Sequence, residues 1–73
     1  MIDIRLKDAM LRYEALTGEH LTYEELAHRT GLSVATLHSM ATRNGYNAGL
    51  RTIEKICRNL RCTPGELLQL DDL

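Results

Sequence analysis

LTYEELAHRTGLSVATLHSMA, residues Leu21 to Ala41, is the stretch whose reading decides the fold. Thr22 followed three residues later by Glu25 has the form of a capping box, in which a hydroxyl takes an orphan amide and a carboxylate reaches back. A first short helix therefore starts after Thr22, with Leu26 and Ala27 on its inward face. Ala27 is small where a second helix must cross closely. Gly31 stands where the first helix must end, and glycine at that position takes positive φ without steric penalty and turns the chain. Leu32 then plugs the gap between the helices, and Ser33 caps a second helix, Val34 to Met40. Leu37 and Met40 face inward at a spacing of three, with Val34 near the edge of that face. Ala35, Thr36, His38 and Ser39 face outward. The stretch predicts two helices joined by a tight turn, the second offering its outer face to something beyond the chain.

The rest of the chain supplies the packing. Seventy-three residues make one domain, 1–73, with a thin core. The chain is 44% hydrophobic with one proline and no phenylalanine or tryptophan, which suits a small aliphatic helical bundle. No apolar run approaches the ~20 residues of a membrane span. The charged opening MIDIRLKDAM does not read as a signal peptide, so a cytoplasmic location is expected. Cys57 and Cys62 are too few and wrongly spaced for a zinc or redox motif and read as small buried hydrophobes.

Before the central stretch, Met1 to Leu6 alternates apolar and polar residues as a very short strand does. It could pair with a second copy of itself or with Leu68-Gln69-Leu70, which alternates likewise. From Leu6 the period becomes helical: Leu6, Met10, Tyr13 and Leu16 or Thr17 share one face, Asp8 and Arg12 form an i,i+4 pair on the other, and Gly18 ends the helix. Tyr13 reads as a core residue with its hydroxyl at the rim. After the central stretch, Asn44-Gly45 marks a turn within the loop Ala41–Gly49. A fourth helix follows to about Leu60, burying Ile53, Ile56, Cys57 and Leu60 and turning Arg51, Lys55 and Arg58 outward. Thr63 caps a last helix with Pro64 at its first position. Leu67, Leu68 and Leu70 close the core or supply a dimer contact.

The net charge of −1 conceals a partition. Residues 1–27 carry three basic and six acidic side chains, and residues 63–73 three acids and no base. Residues 28–62 carry six basic side chains (Arg29, Arg43, Arg51, Lys55, Arg58, Arg61) against Glu54 alone. Local charge governs attraction to a polyanion, because each cation set on a phosphate releases counterions. These arginines either form such a surface or decorate solvated helix faces.

At these residues the chain resembles the helix-turn-helix of the Cro and phage-repressor type, the XRE family. Leu26-Ala27, Gly31-Leu32-Ser33, Thr36-Leu37 and Met40 match that motif, placed at about residues 22–41. Thr52-Ile53-Glu54-Lys55-Ile56-Cys57, Leu60 and Cys62-Thr63-Pro64-Gly65-Glu66-Leu67-Leu68 match the family's closing helices, in a small subgroup that opens with a short β-like segment. The resemblance implies an all-α, five-helix λ-repressor-like DNA-binding domain, with room for short extended segments at both termini. It further implies a transcriptional regulator that sets helix 33–41 in the major groove of double-stranded DNA, as a homodimer. The residues it marks for DNA are Tyr23, Ser33, Val34, Ala35, Thr36, His38 and Ser39, then Arg43, Asn44, Tyr46 and Asn47 in the loop, and Arg51 in the following helix.

Two departures bear on that implication. Tyr23 stands where related proteins often hold a phosphate-binding glutamine. Val34, Ala35 and Ser39 stand where related proteins hold Gln, Arg, Lys or Asn, so no bidentate contact to guanine or adenine is available. Modest base preference, resting on phosphate contacts and DNA shape, is the expectation. The alternative is a protein-interaction module, accessory or antitoxin-like, on the same fold. The sequence offers no catalytic constellation, no cofactor motif and no sign of a small-molecule substrate. His20, His28 and His38 are spaced too widely for a compact metal site.

Overall fold

Two capping boxes and a terminal strand pair frame the fold. The computed structural model describes residues 1–70. In chain order it forms β1 (Ile2–Ile4), α1 (Leu6–Thr17), α2 (Tyr23–Thr30), α3 (Val34–Thr42), α4 (Leu50–Leu60), α5 (Pro64–Leu67) and β2 (Leu68–Leu70). Thr22 accepts from the Glu25 amide at 3.1 Å while the Glu25 carboxylate accepts from the Thr22 amide at 3.3 Å. Thr63 and Glu66 repeat the arrangement at the start of α5, behind Pro64. Gly31 ends α2 at φ +76°, and its amide donates to the Ala27 carbonyl at 2.8 Å. The turn is reinforced by Thr30, buried, whose hydroxyl donates to the Leu26 carbonyl at 2.7 Å and accepts from the Leu32 amide at 3.3 Å.

β1 and β2 pair antiparallel, Ile2 with Leu70, Asp3 with Gln69 and Ile4 with Leu68. The all-α expectation therefore holds only approximately: five helices are joined by a small two-stranded sheet made of the two ends of the chain. Of the two pairings open to the N-terminal segment, the described residues take the intramolecular one. Asp71 and Asp72 of the acidic C-terminal block lie outside the described residues.

The core gathers Leu6, Leu26, Leu37, Met40, Ile56, Leu60 and Leu67, all fully buried, with Ile4, Ala9, Tyr13, Leu21, Ile53 and Cys57 around them. The central stretch and α4 bury Leu26, Leu37, Met40, Ile53, Ile56, Cys57 and Leu60 as their spacing predicts, whereas Ala27 is half-buried. α1 does not follow its predicted face. Its buried stripe is Leu6, Ala9 and Tyr13, Met10 is half-buried, and Leu16 is 61% exposed. The stripe stops a turn early, and Leu21, from the connection that follows, joins the core instead. The predicted Asp8–Arg12 pair is also replaced. Asp8 pairs with Arg5 at 2.9 Å, whereas Arg12 crosses to α5 to meet Glu66 at 3.0 Å and donates to the Arg61 carbonyl at 2.9 Å. Arg61, which ends α4 in the left-handed region at φ +52°, thus has its carbonyl taken by a side chain from α1. Cys57 is buried and Cys62 half-buried, both as free thiols.

Candidate nucleic-acid interface

α3 follows directly from the capped turn. Ser33 accepts from the Thr36 amide at 3.0 Å and donates to the Thr36 hydroxyl at 2.8 Å, which fixes the first turn. Leu37 and Met40 lock the helix into the core. On the other side Ser33, Val34, Ala35 and His38 are exposed, while Thr36 and Ser39 are half-buried at the margins. The helix runs two residues beyond Met40, to Thr42, whose hydroxyl donates to the His38 carbonyl at 2.8 Å. No segment of the described chain covers this outer row.

Tyr23, at the start of α2, stands edge-on to His38, ring centroids 6.3 Å apart at 80°. The two motif helices thus present one aromatic-imidazole edge rather than separate groups. Beside it, the first turn of α2 is acidic, with Glu24 exposed and Glu25 committed to the capping box. This is the least favourable local charge for an anionic ligand.

After α3 the loop carries Arg43, Asn44 and Asn47 exposed and Tyr46 half-buried. The Arg43 guanidinium lies 5.9 Å from the Tyr46 ring centre, within cation–π range. Tyr46 packs against the core while its ring lies under the Arg43 guanidinium. The loop is tied down from afar. The Gly45 amide donates to Asp3 Oδ1 at 3.1 Å, and Gly45, at φ +66°, lies so close to Met1 that an added Cβ would stand 3.0 Å from its Sδ. Neither Asp3 nor Met1 was marked by the sequence, where they read only as strand residues; the alternation that put Asp3 on the polar side of β1 was the one available signal. Arg51 is exposed in the first turn of α4, which Gly49 enters with no side-chain cap. Uncapped amides at a helix start favour an anion.

The six central cations do not act as one block. Arg29 is held by Glu19 at 2.9 Å and by the Tyr13 hydroxyl at 3.3 Å, and Arg58 by Glu54 at 2.9 Å. Arg43, Arg51, Lys55 and Arg61 have no acidic partner among the described residues.

The Tyr13–Glu19–Arg29 cluster fastens α1 to α2 behind the motif. Its hydrogen bonds, first from Tyr13 at 2.8 Å and then from Arg29, hold the Glu19 carboxyl below its ordinary 4.5. A lowered folded pKa contributes stability above pH 4.5 that is lost as pH falls through the folded value. Glu19→Gln should therefore flatten the acid limb of the stability profile, narrowing the difference between urea midpoints at pH 7 and pH 3. An unchanged difference would show that the cluster does not couple to folding. His20 has the opposite sign: Glu14, 2.8 Å away, raises its pKa, so its contribution fades as pH rises through the folded value.

Cys62 is pushed up to about 11, by burial first and then by Cys57 beside it, so its thiol stays protonated near neutrality. Among the described residues no group of three His, Cys, Asp or Glu is placed to hold a metal ion. No described helix is long and apolar enough to cross a membrane.

Comparison with known proteins identifies a relative and a family. One relative is an uncharacterised HTH-type transcriptional regulator, YozG of Bacillus subtilis (strain 168), 32% identical over 54 residues. The match covers 74% of this chain and 64% of that protein, so the chain spans less than two-thirds of the relative's length. No solved structure matches the chain. The model of the Cro/C1-type HTH DNA-binding domain matches residues 13–72, which takes in the capped turn, α3, the anchored loop and both closing helices. The chain belongs to the Cro/C1-type helix-turn-helix DNA-binding family.

Proposed function

We propose that the chain is a transcriptional regulator that binds double-stranded DNA as a homodimer, with α3 in the major groove and the Arg43–Asn47 loop and Arg51 on the flanking phosphates. The observation that carries this reading is the uncovered row Ser33, Val34, Ala35 and His38, with Arg43 just after α3 and Arg51 in α4 both exposed and without an acidic partner among the described residues. Val34 and Ala35 suit thymine methyl groups, and Ser39, Thr36 and His38 can each supply a single hydrogen bond. Tyr23 can donate one bond to a phosphate. Such a helix reads sequence weakly, so affinity rests on phosphate contacts and on how readily the duplex adopts the required shape. Two-fold pairing supplies the second half-site about 34 Å away.

Selection of bound duplexes from a random pool by the purified chain tests it. The expected product is a two-fold symmetric site with a few conserved positions per half, its affinity falling steeply with salt. Failure to enrich any duplex at 50 mM salt would overturn the reading. The acidic first turn of α2 beside Tyr23 favours a second reading, an accessory or antitoxin-like protein-interaction module. That reading requires a partner captured through Val34 and His38 and no salt-dependent duplex binding.

A further inference from the structure

The far side of α4 carries an apolar groove that the motif does not use. Ile53, Cys57, Cys62, Pro64 and Leu68 line it, between α4, α5 and the start of β2, and Leu50 stands at one end. Leu50 is 85% exposed, the most exposed large hydrophobic side chain of the described residues. An isolated exposed leucine is ordinary. This one stands one turn before Glu54, which pairs with Arg58 at 2.9 Å on the rim of the same groove.

That rim is self-complementary. A two-fold axis makes every contact occur twice, residue i on j and j on i. If two α4 helices lie antiparallel across such an axis, the register that sets Glu54 against Arg58 of the second copy also sets Arg58 against its Glu54. The same register carries Leu50 to the C-terminal end of the second copy's α4, where the groove floor continues to Cys62. One alignment thus satisfies both charges and seats both exposed leucines. A register shifted by one turn in either direction breaks both matches.

We propose that this groove is the homodimer interface: two copies of the chain pack α4 against α4, each Leu50 entering the other's groove beside Cys62, with crossed Glu54–Arg58 pairs at the edges. This locates the pairing that the DNA-binding reading requires. The face leaves Val34, Ala35 and His38 of both copies free. A standard interface takes about 800 Å² per partner, roughly one-sixth of the 4928 Å² that the chain exposes. The apolar groove between α1 and α2, lined by Met10, Leu11 and Leu21, adjoins Tyr23. A copy seated there would crowd the candidate DNA face.

Sedimentation velocity of the 73-residue chain across a concentration series, without DNA, reads the equilibrium directly. The wild type should be predominantly dimeric at about 500 μM, as a dissociation constant of about 100 μM or tighter requires. Leu50→Lys, a change at an exposed position whose thermal melt should stay close to wild type, should weaken pairing by about 100-fold, by forcing an ammonium into an apolar groove. Glu54→Arg should weaken it about tenfold or more by facing arginine with arginine, and Glu54→Arg with Arg58→Glu should restore it. The proposal is overturned by a wild type that stays monomeric at 500 μM, by a folded Leu50→Lys that dimerises as wild type does, or by a double exchange no better than Glu54→Arg alone. Because no duplex enters the measurement, a wild-type dimer with these mutant responses upholds the interface even if the chain selects no DNA. A folded monomeric wild type that does select DNA overturns the interface and leaves the DNA reading standing.

Discussion

Leu37→Ala should lower the stability of the chain by about 2–5 kcal/mol, the range for deleting a fully buried leucine and leaving a cavity. Leu37 has no exposed surface, sits at the centre of α3, and belongs to the same core as Leu26, Met40 and Ile56. A domain of this size has a total stability of roughly 4–11 kcal/mol at about 0.05–0.15 kcal/mol per residue. One truncation therefore removes a large share of it. The thin core makes collapse around the hole costly, since α3 can shift inward only by dragging the capped turn with it. Urea denaturation followed by circular dichroism measures the change. A loss below about 1 kcal/mol would mean that α3 is rotated relative to this account, with His38 and Ser39 no longer on its outer side. Ala35→Ser, on the exposed row, is the control and should stay within about 0.5 kcal/mol of wild type.

Arg43→Ala combined with Arg51→Ala should weaken duplex binding on the order of 100-fold near 0.15 M salt, and by a similar factor for every sequence tested. These two arginines are exposed, lie on either side of the loop between α3 and α4, and have no acidic partner among the described residues. Each phosphate neutralised adds about 0.9 to the slope of log affinity against log salt. Two contacts per protomer and two protomers make four, so the slope should fall by about 3–4. Arg29→Ala makes the instructive comparison. It lies in the same basic stretch of sequence, but Glu19 already neutralises it. Its slope should match wild type. Fluorescence anisotropy on one selected duplex and one scrambled duplex separates the cases, and equal slopes for the double variant and Arg29→Ala would remove the loop from the interface.

That contrast shows where sequence reasoning succeeds and where it stops. The capping boxes, the Gly31 turn and the spacing of Leu26, Leu37, Met40, Ile53 and Ile56 are local rules, each complete within a few residues. They place α2, α3 and α4 to within a residue or two of their observed ends. The strand pairing also follows from local alternation at both termini, though pattern alone could not choose between an internal partner and a second chain. Long side chains were not legible. Arg12 has an acidic neighbour four residues back and instead spans the molecule to Arg61 and Glu66. Charge counting could not know that Glu19 would reach Arg29 or that Asp3 would hold the Gly45 amide. Leu16 shows the same limit for apolar residues, because a helical period says which residues share a face and not how far the neighbouring helix extends. Of the candidate site, the uncovered face of α3 was legible, whereas the anchoring of the loop beside it was not.

That anchoring has a consequence for how the chain matures on the ribosome. Asp3 holds the loop only while β1 is in place, and β1 is held by β2 and by the bond from the Arg5 amide to the Leu67 carbonyl at 2.7 Å. Residues 67–70 leave the exit tunnel after everything else in the described fold. A nascent polypeptide can cap its helices and gather most of its interior while its first residues still lack their strand partner. The arginine loop beside α3 is thereby tethered only after residues 67–70 have been made, so a product truncated before them would carry α3 beside an untethered loop.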